Sequence, residues 1–391
     1  MGSPSGVPIG AYYFAMSAAM GLYLPYLAMY LSSVGLSEAQ GVQVQAVVPF
    51  MGLVVPPLLG MFADARGARI WVLRGFTAAT LVAFAALALA GGHVVAVTLV
   101  LTAFAVARAP LVSLVDATAH DHVRRHGGSY GRLRTWGSAG YFITVILGGM
   151  LYEATSIRFL VPAACGALGA LVLSAWQMPA PPLQRQVGLM REILRMLQTR
   201  SLWLLLLAIA AAQASQASYD AMFALHLRDL GHGKVFTGVL IGIGVAAETL
   251  LLAVSGRVLA RFRAERALAT AFAVGALRWL LVSAVTSEVV LVLQAPLHAI
   301  SFGLYWVAAT VLLRDYAGPR ASAAGQGLLA AAVAVGSITG SIYGGALFAQ
   351  GGGSLLFRWA AASAGAGAAL AALHAMVVAR SGHQLASAPA R

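Results

Sequence analysis

Charged residues are scarce in this sequence. Asp, Glu, Lys and Arg make up 9% of its 391 residues, whereas soluble globular domains carry about 25%. Hydrophobic residues make up 60% of the chain, and the mean hydropathy is +0.84. The scarcity of charge excludes a soluble globular fold. We therefore predict a membrane protein that crosses the bilayer several times as α-helices.

Cysteine is almost absent as well, since Cys165 is the only one. A single cysteine excludes intrachain disulfides and cysteine metal clusters. The sequence lacks a P-loop, an H-E-x-x-H motif and a G-x-S-x-G motif in a context that supports catalysis. The mixed spacing of His120, His122 and His126 does not favour a metal site. We therefore predict no enzyme, no cofactor, no metal and no drive by ATP, which leaves ion gradients as the source of energy.

Twelve apolar runs fill the chain, each close to the ~20 residues that a membrane-spanning helix needs. Arginine is concentrated in every second connection, as between the second and third runs with Arg66, Arg69 and Arg74. Connections rich in Lys and Arg stay in the cytoplasm, so we expect these connections and both termini there. The net charge of +13 follows from this bias, and no nucleic-acid partner is expected.

The longest connection begins Pro179-Ala180-Pro181-Pro182 and includes a short amphipathic segment at Met190–Leu197. It divides the chain into an N-terminal six-helix bundle at 1–178, a cytoplasmic central loop at 179–200 and a C-terminal six-helix bundle at 201–391. Two such halves are typical of secondary transporters, whose substrate site lies near the middle of the membrane between the repeats.

The connection after the second run contains the stretch Gly60-Met61-Phe62-Ala63-Asp64-Ala65-Arg66-Gly67-Ala68-Arg69. It resembles the loop signature G-x-x-x-D-x-x-G-x-R of the major facilitator superfamily. A weaker copy without the acid follows the eighth run at Gly256–Arg263. The resemblance implies an all-α membrane protein with twelve transmembrane helices in two six-helix bundles. It also implies that a conformational motif is formed by Gly60, Asp64, Arg66, Gly67 and Arg69.

Within the superfamily the chain is similar to the branch that includes lactose permease and the phenylpropionate permeases. The similarity is carried by Gly21–Leu27, Pro110–Asp116, Tyr130–Gly140 and Leu297–Gly303. The spacing of Asp116 and Arg134 matches the acid–arginine pair that holds sugar in lactose permease, which implies a substrate site. The chain departs from that permease at Tyr141, where the permease has a tryptophan, and at Ala295 and Ser301, which replace a lysine and a glutamate. A disaccharide is therefore not expected.

Three ionisable residues of the C-terminal half, Glu248, Arg278 and His298, lie about 15–20 Å from the starts of their helices at 1.5 Å per residue. An unpaired charge inside the bilayer costs at least ~2.5–3.5 kcal/mol, so we expect a network. A glutamate that alternately meets and loses Arg278 would release and take up a proton. We predict that Glu248 carries the proton, that Arg278 modulates it, and that His298 and Asp220 assist. The alternative is a static ion pair that fixes helix packing.

Several polar residues are candidates for contact with the substrate. Arg134, Ser138 and Tyr141 share one face of the fifth helix at positions i, i+4 and i+7. Arg108 suits a carboxylate, which an arginine binds through two parallel hydrogen bonds; snorkelling or pairing with Asp116 is the alternative. The other candidates are Tyr13, Gln216, Gln294 and Tyr305. For the two tyrosines a membrane-interface belt is the alternative.

The sequence therefore predicts a proton-coupled symporter in the inner membrane of a bacterial cell. We expect a monomer that imports a small organic solute by alternating access, with protons, the solute and the lipid bilayer as its partners. The resemblance points to an aromatic or other carboxylic acid, with a sugar or a nucleoside as the alternative. A proton antiporter that exports a drug or metabolite is a second alternative, and a membrane receptor that does not transport its ligand is a third.

Overall fold

The computed structural model describes residues 6–65, 69–179, 189–318 and 322–386. Every regular element in these ranges is helical, and short 3-10 turns and one π-helical turn join or interrupt the α-helices. The α-helices are α1 (Val7–Tyr23), α2 (Leu27–Ser33), α3 (Glu38–Gln43), α4 (Val47–Ala65), α5 (Arg69–Ala85), α6 (Val94–His126), α7 (Tyr130–Ala154), α8 (Leu160–Gln177), α9 (Leu189–Leu197), α10 (Arg200–Asp229), α11 (Lys234–Arg261), α12 (Ala264–Ala284), α13 (Glu288–Gln294), α14 (Tyr305–Ala317) and α15 (Ser322–Ala386).

Most of the longer helices could cross a bilayer. Within the described ranges, nine are long and apolar enough, and α1 with α2 forms a tenth span bent by 46°. α7 adds 25 residues, about 37 Å of helix, which exceeds the hydrocarbon core. α15 consists of two arms that meet at Gly351 and Gly352, where the backbone is not helical. α7 is the eleventh such helix, and counting the two arms of α15 separately gives twelve, the number predicted. The all-α membrane fold is confirmed.

Proline and glycine mark the breaks between these helices. Pro25 lies in the three-residue break between α1 and α2, as expected for a residue that lacks a backbone N–H. Pro110, in contrast, lies inside α6, which continues without interruption from Val94 to His126. Gly127 ends α6 with φ +77°, a backbone conformation that glycine adopts without steric cost. The break at Pro25 therefore bends a transmembrane span, and the break at Gly127 separates α6 from α7.

The described helices pack into two compact units. The first unit consists of Met1–Arg185, Tyr219–Ala246 and Ser341–Gly353. Within it, α1 packs against α7 and α8, and α6 packs against α4 and α5. The division of the chain into halves at 1–178, 179–200 and 201–391 stays a prediction.

A closely packed seam joins α7 and α11 inside the first unit. Tyr26 is fully buried and its hydroxyl donates to the carbonyls of Val145 at 2.9 Å and Lys234 at 3.3 Å. A Cβ atom at Gly149 would lie 2.5 Å from the Lys234 carbonyl oxygen, and one at Gly238 would lie 2.6 Å from the Val145 carbonyl oxygen. The two glycines therefore allow backbone contact between the helices, as small residues do in membrane proteins.

The second unit consists of Gln186–Ser218, Ala247–Gly340 and Ser354–Arg391. Its hydrophobic core includes Leu205, Leu268, Phe272 and Leu313. Met196 of α9 is 3% exposed and belongs to the same core, so the amphipathic segment predicted at Met190–Leu197 forms a helix that packs on this unit. Burial of its apolar side anchors this part of the central connection to the transmembrane helices.

Candidate functional site

The second unit contains a buried arginine with three polar neighbours. Arg278 of α12 is 0% exposed. Its Nε atom donates to Gln294 Oε1 at 2.9 Å, and its NH1 atom lies 3.1 Å from His298 Nδ1 and 3.4 Å from Ser301 Oγ. Because a buried charge without hydrogen bonds is costly, these contacts are what allow Arg278 to remain charged at this depth.

Glu248 of α11 completes this network. Its Oε2 atom lies 3.4 Å from Nε2 of His298. A guanidinium can only donate hydrogen bonds, so Nδ1 of His298 accepts from Arg278. The ring proton of the neutral imidazole is then on Nε2, where it points towards the Glu248 carboxylate. The structure thus brings together Glu248, Arg278 and His298, and their role in proton coupling stays a prediction.

Local helix geometry places His298 in this network. A 3-10 turn at Ala295–Leu297 precedes it, and a π-helical turn at Ala299–Leu304 follows it. π-Helical turns are rare and occur frequently at functional sites. The His298 ring stacks on Phe302, with 5.2 Å between the ring centres and 8° between the planes. The imidazole is therefore held on one face by an aromatic ring and at both nitrogens by charged side chains.

Other predicted residues lie near this network in the second unit. The Tyr305 hydroxyl donates to Gln213 Oε1 at 3.2 Å, so Tyr305 is a buried hydrogen-bonding residue and not part of an interface belt. Gln216 and Tyr305 line a cavity of about 10 Å³ together with Ser215, Trp279 and Ser301. Such a cavity has room for about one water molecule. Ser301 was not among the predicted site residues, although it stands at a position where lactose permease has a charged residue.

The first unit contains a second polar cluster, around Asp116 of α6. The Tyr13 hydroxyl donates to Asp116 Oδ1, and the Tyr130 hydroxyl donates to the same oxygen at 3.1 Å. NH1 of Arg134 lies 3.7 Å from this oxygen, and the guanidinium lies 5.5 Å from the centre of the Tyr13 ring. The predicted pair of Asp116 and Arg134 is in contact. Tyr130 was not predicted, although it belongs to the Tyr130–Gly140 stretch.

The remaining candidates in the first unit occupy separate places. The Arg108 guanidinium lies 3.0 Å from the thioether sulfur of Met20, and the predicted alternative of pairing with Asp116 is not what the structure contains. Tyr141 and Asp220 line a cavity of about 20 Å³ with Leu24, Pro25, Tyr219, Phe223, Ala224 and Ile241. Ser138 lies one turn before Tyr141 on α7 and is partly exposed. Asp220 belongs to the first unit, whereas Glu248, which it was predicted to assist, belongs to the second.

The loop motif is only partly covered by the structure. Gly60 and Asp64 lie in the last part of α4, and Arg69 begins α5. Arg66 and Gly67 lie outside the described residues. The role of the motif in conformational change stays a prediction.

Known structures share this fold. The nucleoside transporter NupG matches the chain with a TM-score of 0.79 at 18% identity, over 95% of this chain and 98% of that one. The POT family transporter PepTSo matches with a TM-score of 0.75 at 13% identity, over 96% of this chain and 98% of that one. At such identities the likeness concerns the fold alone. This fold, together with the family profile described next, defines a secondary transporter of the major facilitator type.

The chain belongs to the MFS_1 like family, whose profile matches residues 8–359. A probable 3-phenylpropionic acid transporter of Escherichia coli (strain K12) is 28% identical over 307 residues, which are 76% of this chain and 79% of that protein. A maltose permease of Geobacillus stearothermophilus is 28% identical over 358 residues, 89% of this chain and 87% of that protein. The resemblance to this branch of the major facilitator superfamily is confirmed.

Proposed function

We propose that this protein is a proton-coupled symporter that imports a small organic carboxylate, aromatic or otherwise, across the inner membrane of a bacterial cell. It works as a monomer by alternating access. The environment of Arg108 is the observation that favours an anionic substrate. The residues proposed to contact the substrate are Arg108, Arg134, Asp116, Ser138, Tyr141, Tyr13, Gln216, Gln294 and Tyr305.

Arg108 lies near the middle of α6 and, among the described residues, has no acidic partner. It stands 14 residues after the start of α6 at Val94, about 21 Å along the helix. Within the described ranges its polar contact is the Met20 sulfur at 3.0 Å, a weak acceptor, and no carboxylate lies within salt-bridge distance. A lone charge at such a depth costs at least about 2.5–3.5 kcal/mol. A substrate carboxylate that binds the guanidinium through two hydrogen bonds would offset this cost.

Proton coupling is proposed to operate at Glu248. Its carboxylate faces the Nε2–H group of His298, and His298 Nδ1 accepts from Arg278. A second proton on His298 would have to occupy Nδ1, where it would meet the Arg278 N–H group. An arriving proton therefore binds Glu248 for as long as Arg278 keeps its place. Protonation cancels the charge that attracts His298 and Arg278, so the network loosens when the proton is bound. Asp220 is proposed to assist from its own cavity.

A second class of substrate is favoured by the Asp116 cluster. Asp116 offers an acceptor and Arg134 offers donors only 3.7 Å apart. A pair of neighbouring hydroxyl groups matches such a pattern, because one hydroxyl donates to the carboxylate while the other accepts from the guanidinium. A sugar or nucleoside is therefore the alternative substrate. The named substrates of the two curated relatives, 3-phenylpropionic acid and maltose, represent both classes.

The test is uptake by purified protein in liposomes with an imposed pH gradient, acidic outside. The probes are radiolabelled 3-phenylpropionate, maltose and uridine. Because a protonated aromatic acid crosses bilayers unaided, the signal is the saturable uptake in excess of protein-free liposomes. We expect saturable accumulation of 3-phenylpropionate, abolished by a protonophore. We also expect a KM at least ten-fold higher in Arg108→Gln, the loss of one charge-assisted contact, and no change in the exposed control Arg314→Gln.

Other outcomes decide between the alternatives. Accumulation of maltose or uridine without 3-phenylpropionate would replace the carboxylate with a hydroxylated substrate. Uptake that ignores the pH gradient would contradict proton coupling. Proton-driven extrusion of hydrophobic cations from inside-out vesicles would support the antiporter predicted as an alternative.

A further inference from the structure

Two tyrosines bind one oxygen atom of Asp116. Tyr13 and Tyr130 both donate to Oδ1. NH1 of Arg134 is 3.7 Å from that same oxygen, beyond the 2.7–3.2 Å that N–H···O hydrogen bonds typically span. The acid and the arginine therefore attract each other without a hydrogen bond between these atoms, while the phenols make the hydrogen bonds to the acid.

Each phenol is itself held in place. Tyr13 lies in α1 and is 0% exposed. Tyr130 is the first residue of α7, and its ring stacks on His120 with 4.1 Å between the ring centres and 11° between the planes. His120 lies one turn after Asp116 on α6. The two hydroxyls thus reach Asp116 from different helices, each with its ring held by packing.

The distance of 3.7 Å is unusual for two opposite charges that are free to approach. A carboxylate and a guanidinium normally close to about 2.7–2.9 Å, often through two parallel hydrogen bonds. Such a closed pair would use donors of Arg134 and cancel most of its attraction for an anion. Here the Arg134 side chain is 50% exposed and the Asp116 side chain 30% exposed, so the guanidinium remains accessible to a solute.

We infer that Tyr13 and Tyr130 are positioning residues that hold Asp116 away from Arg134 and so keep the Arg134 guanidinium available, in addition to Arg108, to an anionic substrate. This inference rests on the proposed function, because it assigns the Tyr13 and Tyr130 hydroxyls a part in the affinity for an anion. Without either hydroxyl, Asp116 closes on Arg134 and competes with the substrate from within the protein.

The first experiment does not depend on the identity of the substrate. Purified protein is treated with phenylglyoxal, which modifies accessible arginines, and the rate at Arg134 is followed by peptide mass spectrometry. We expect the rate to fall several-fold in Tyr130→Phe and in Tyr13→Phe, because Arg134 is then paired. The matched control is Tyr12→Phe. Tyr12 neighbours Tyr13, is equally buried, and bonds Thr77 at 2.9 Å, so its loss leaves the rate unchanged.

A double variant separates positioning from packing. In Asp116→Asn the competing charge is gone, so adding Tyr130→Phe has no further effect on the rate of modification at Arg134. If the single variants react like the wild type, or if Tyr130→Phe slows the reaction equally with Asn at position 116, Asp116 is not being held away and the inference is wrong.

The second experiment measures transport of 3-phenylpropionate. We expect Tyr130→Phe to raise KM about ten-fold, the size of one hydrogen bond to a charged group, with Vmax unchanged, and to have no effect on KM in the Asp116→Asn background. An equal rise of KM in both backgrounds would mean that Tyr130 contacts the solute directly. If the phenylglyoxal result holds while the wild type carries no 3-phenylpropionate, the proposed carboxylate substrate fails and the positioning of Asp116 stands.

Discussion

Glu248 packs directly against the backbone of Gly303. A Cβ atom at Gly303 would lie 3.0 Å from Cγ of Glu248, a distance that side chains rarely tolerate. Gly303 belongs to the π-helical turn that follows His298, and His298 is the residue that Glu248 contacts at 3.4 Å. Because Gly303 has no side chain, Glu248 of α11 can reach His298, which precedes α14.

We predict that Gly303→Ala disturbs the Glu248 contact. The added methyl group forces the Glu248 side chain to shift by a few tenths of an ångström, and such overpacking costs about 1–3 kcal/mol. We expect a lower melting temperature and several-fold weaker accumulation driven by a pH gradient. Gly365→Ala is the control, because a Cβ atom there meets nothing within 4 Å and alanine favours helix by about 1 kcal/mol. Equal behaviour of the two variants would argue against the importance of the contact.

We predict that Glu248→Gln separates transport from proton drive. Glutamine keeps the size of the side chain and can accept from His298, but it cannot take up a proton. Accumulation of substrate against its gradient should be lost, whereas exchange of labelled for unlabelled substrate across the membrane should continue. Both are measured in liposomes, with the exposed acid Glu288 changed to Gln as the control. Full accumulation by Glu248→Gln would identify the network as a static ion pair.

The start of α11 depends on an acid from another helix. Glu153 of α7 accepts the backbone N–H of Val235 at 2.9 Å, and helix N-termini favour such negative charges. We expect Glu153→Gln to cost about 1 kcal/mol, a typical capping contribution, which lowers the melting temperature. Asp315→Asn is the control, since Asp315 forms an exposed pair with Arg314. A larger effect at Asp315 than at Glu153 would contradict this assignment.

A buried polar cluster links three helices of the second unit. The Tyr316 hydroxyl lies 2.7 Å from Ser201 Oγ and 2.9 Å from His374 Nε2, and His374 is 1% exposed. Tyr316→Phe leaves both partners without this hydroxyl, and a buried polar group that loses its partner costs about 1–3 kcal/mol. We expect a melting temperature lower by several degrees, measured by thermal unfolding. The control is Tyr343→Phe, at a tyrosine that is 58% exposed, where no loss is expected.

The sequence by itself determined the class of protein and the helices that compose it. Hydropathy is a local property that adds up along the chain, so runs such as Val94–Asp116 predict membrane-spanning helices before any contact is known. The spacing of Asp116 and Arg134 was also informative, because Asp116 precedes and Arg134 follows the short break at 127–129 between two consecutive helices, α6 and α7.

The partners of these residues were decided only by the tertiary structure. Tyr13 is 103 residues from Asp116, and Arg278 reaches Gln294 and His298 on the next span. Which side chains meet depends on how far each helix is rotated and where it bends. Those angles follow from glycine contacts and π-helical turns that hydropathy does not encode. The same reason explains why Arg108 lies beside Met20 and not beside Asp116, although both charges stand on one helix.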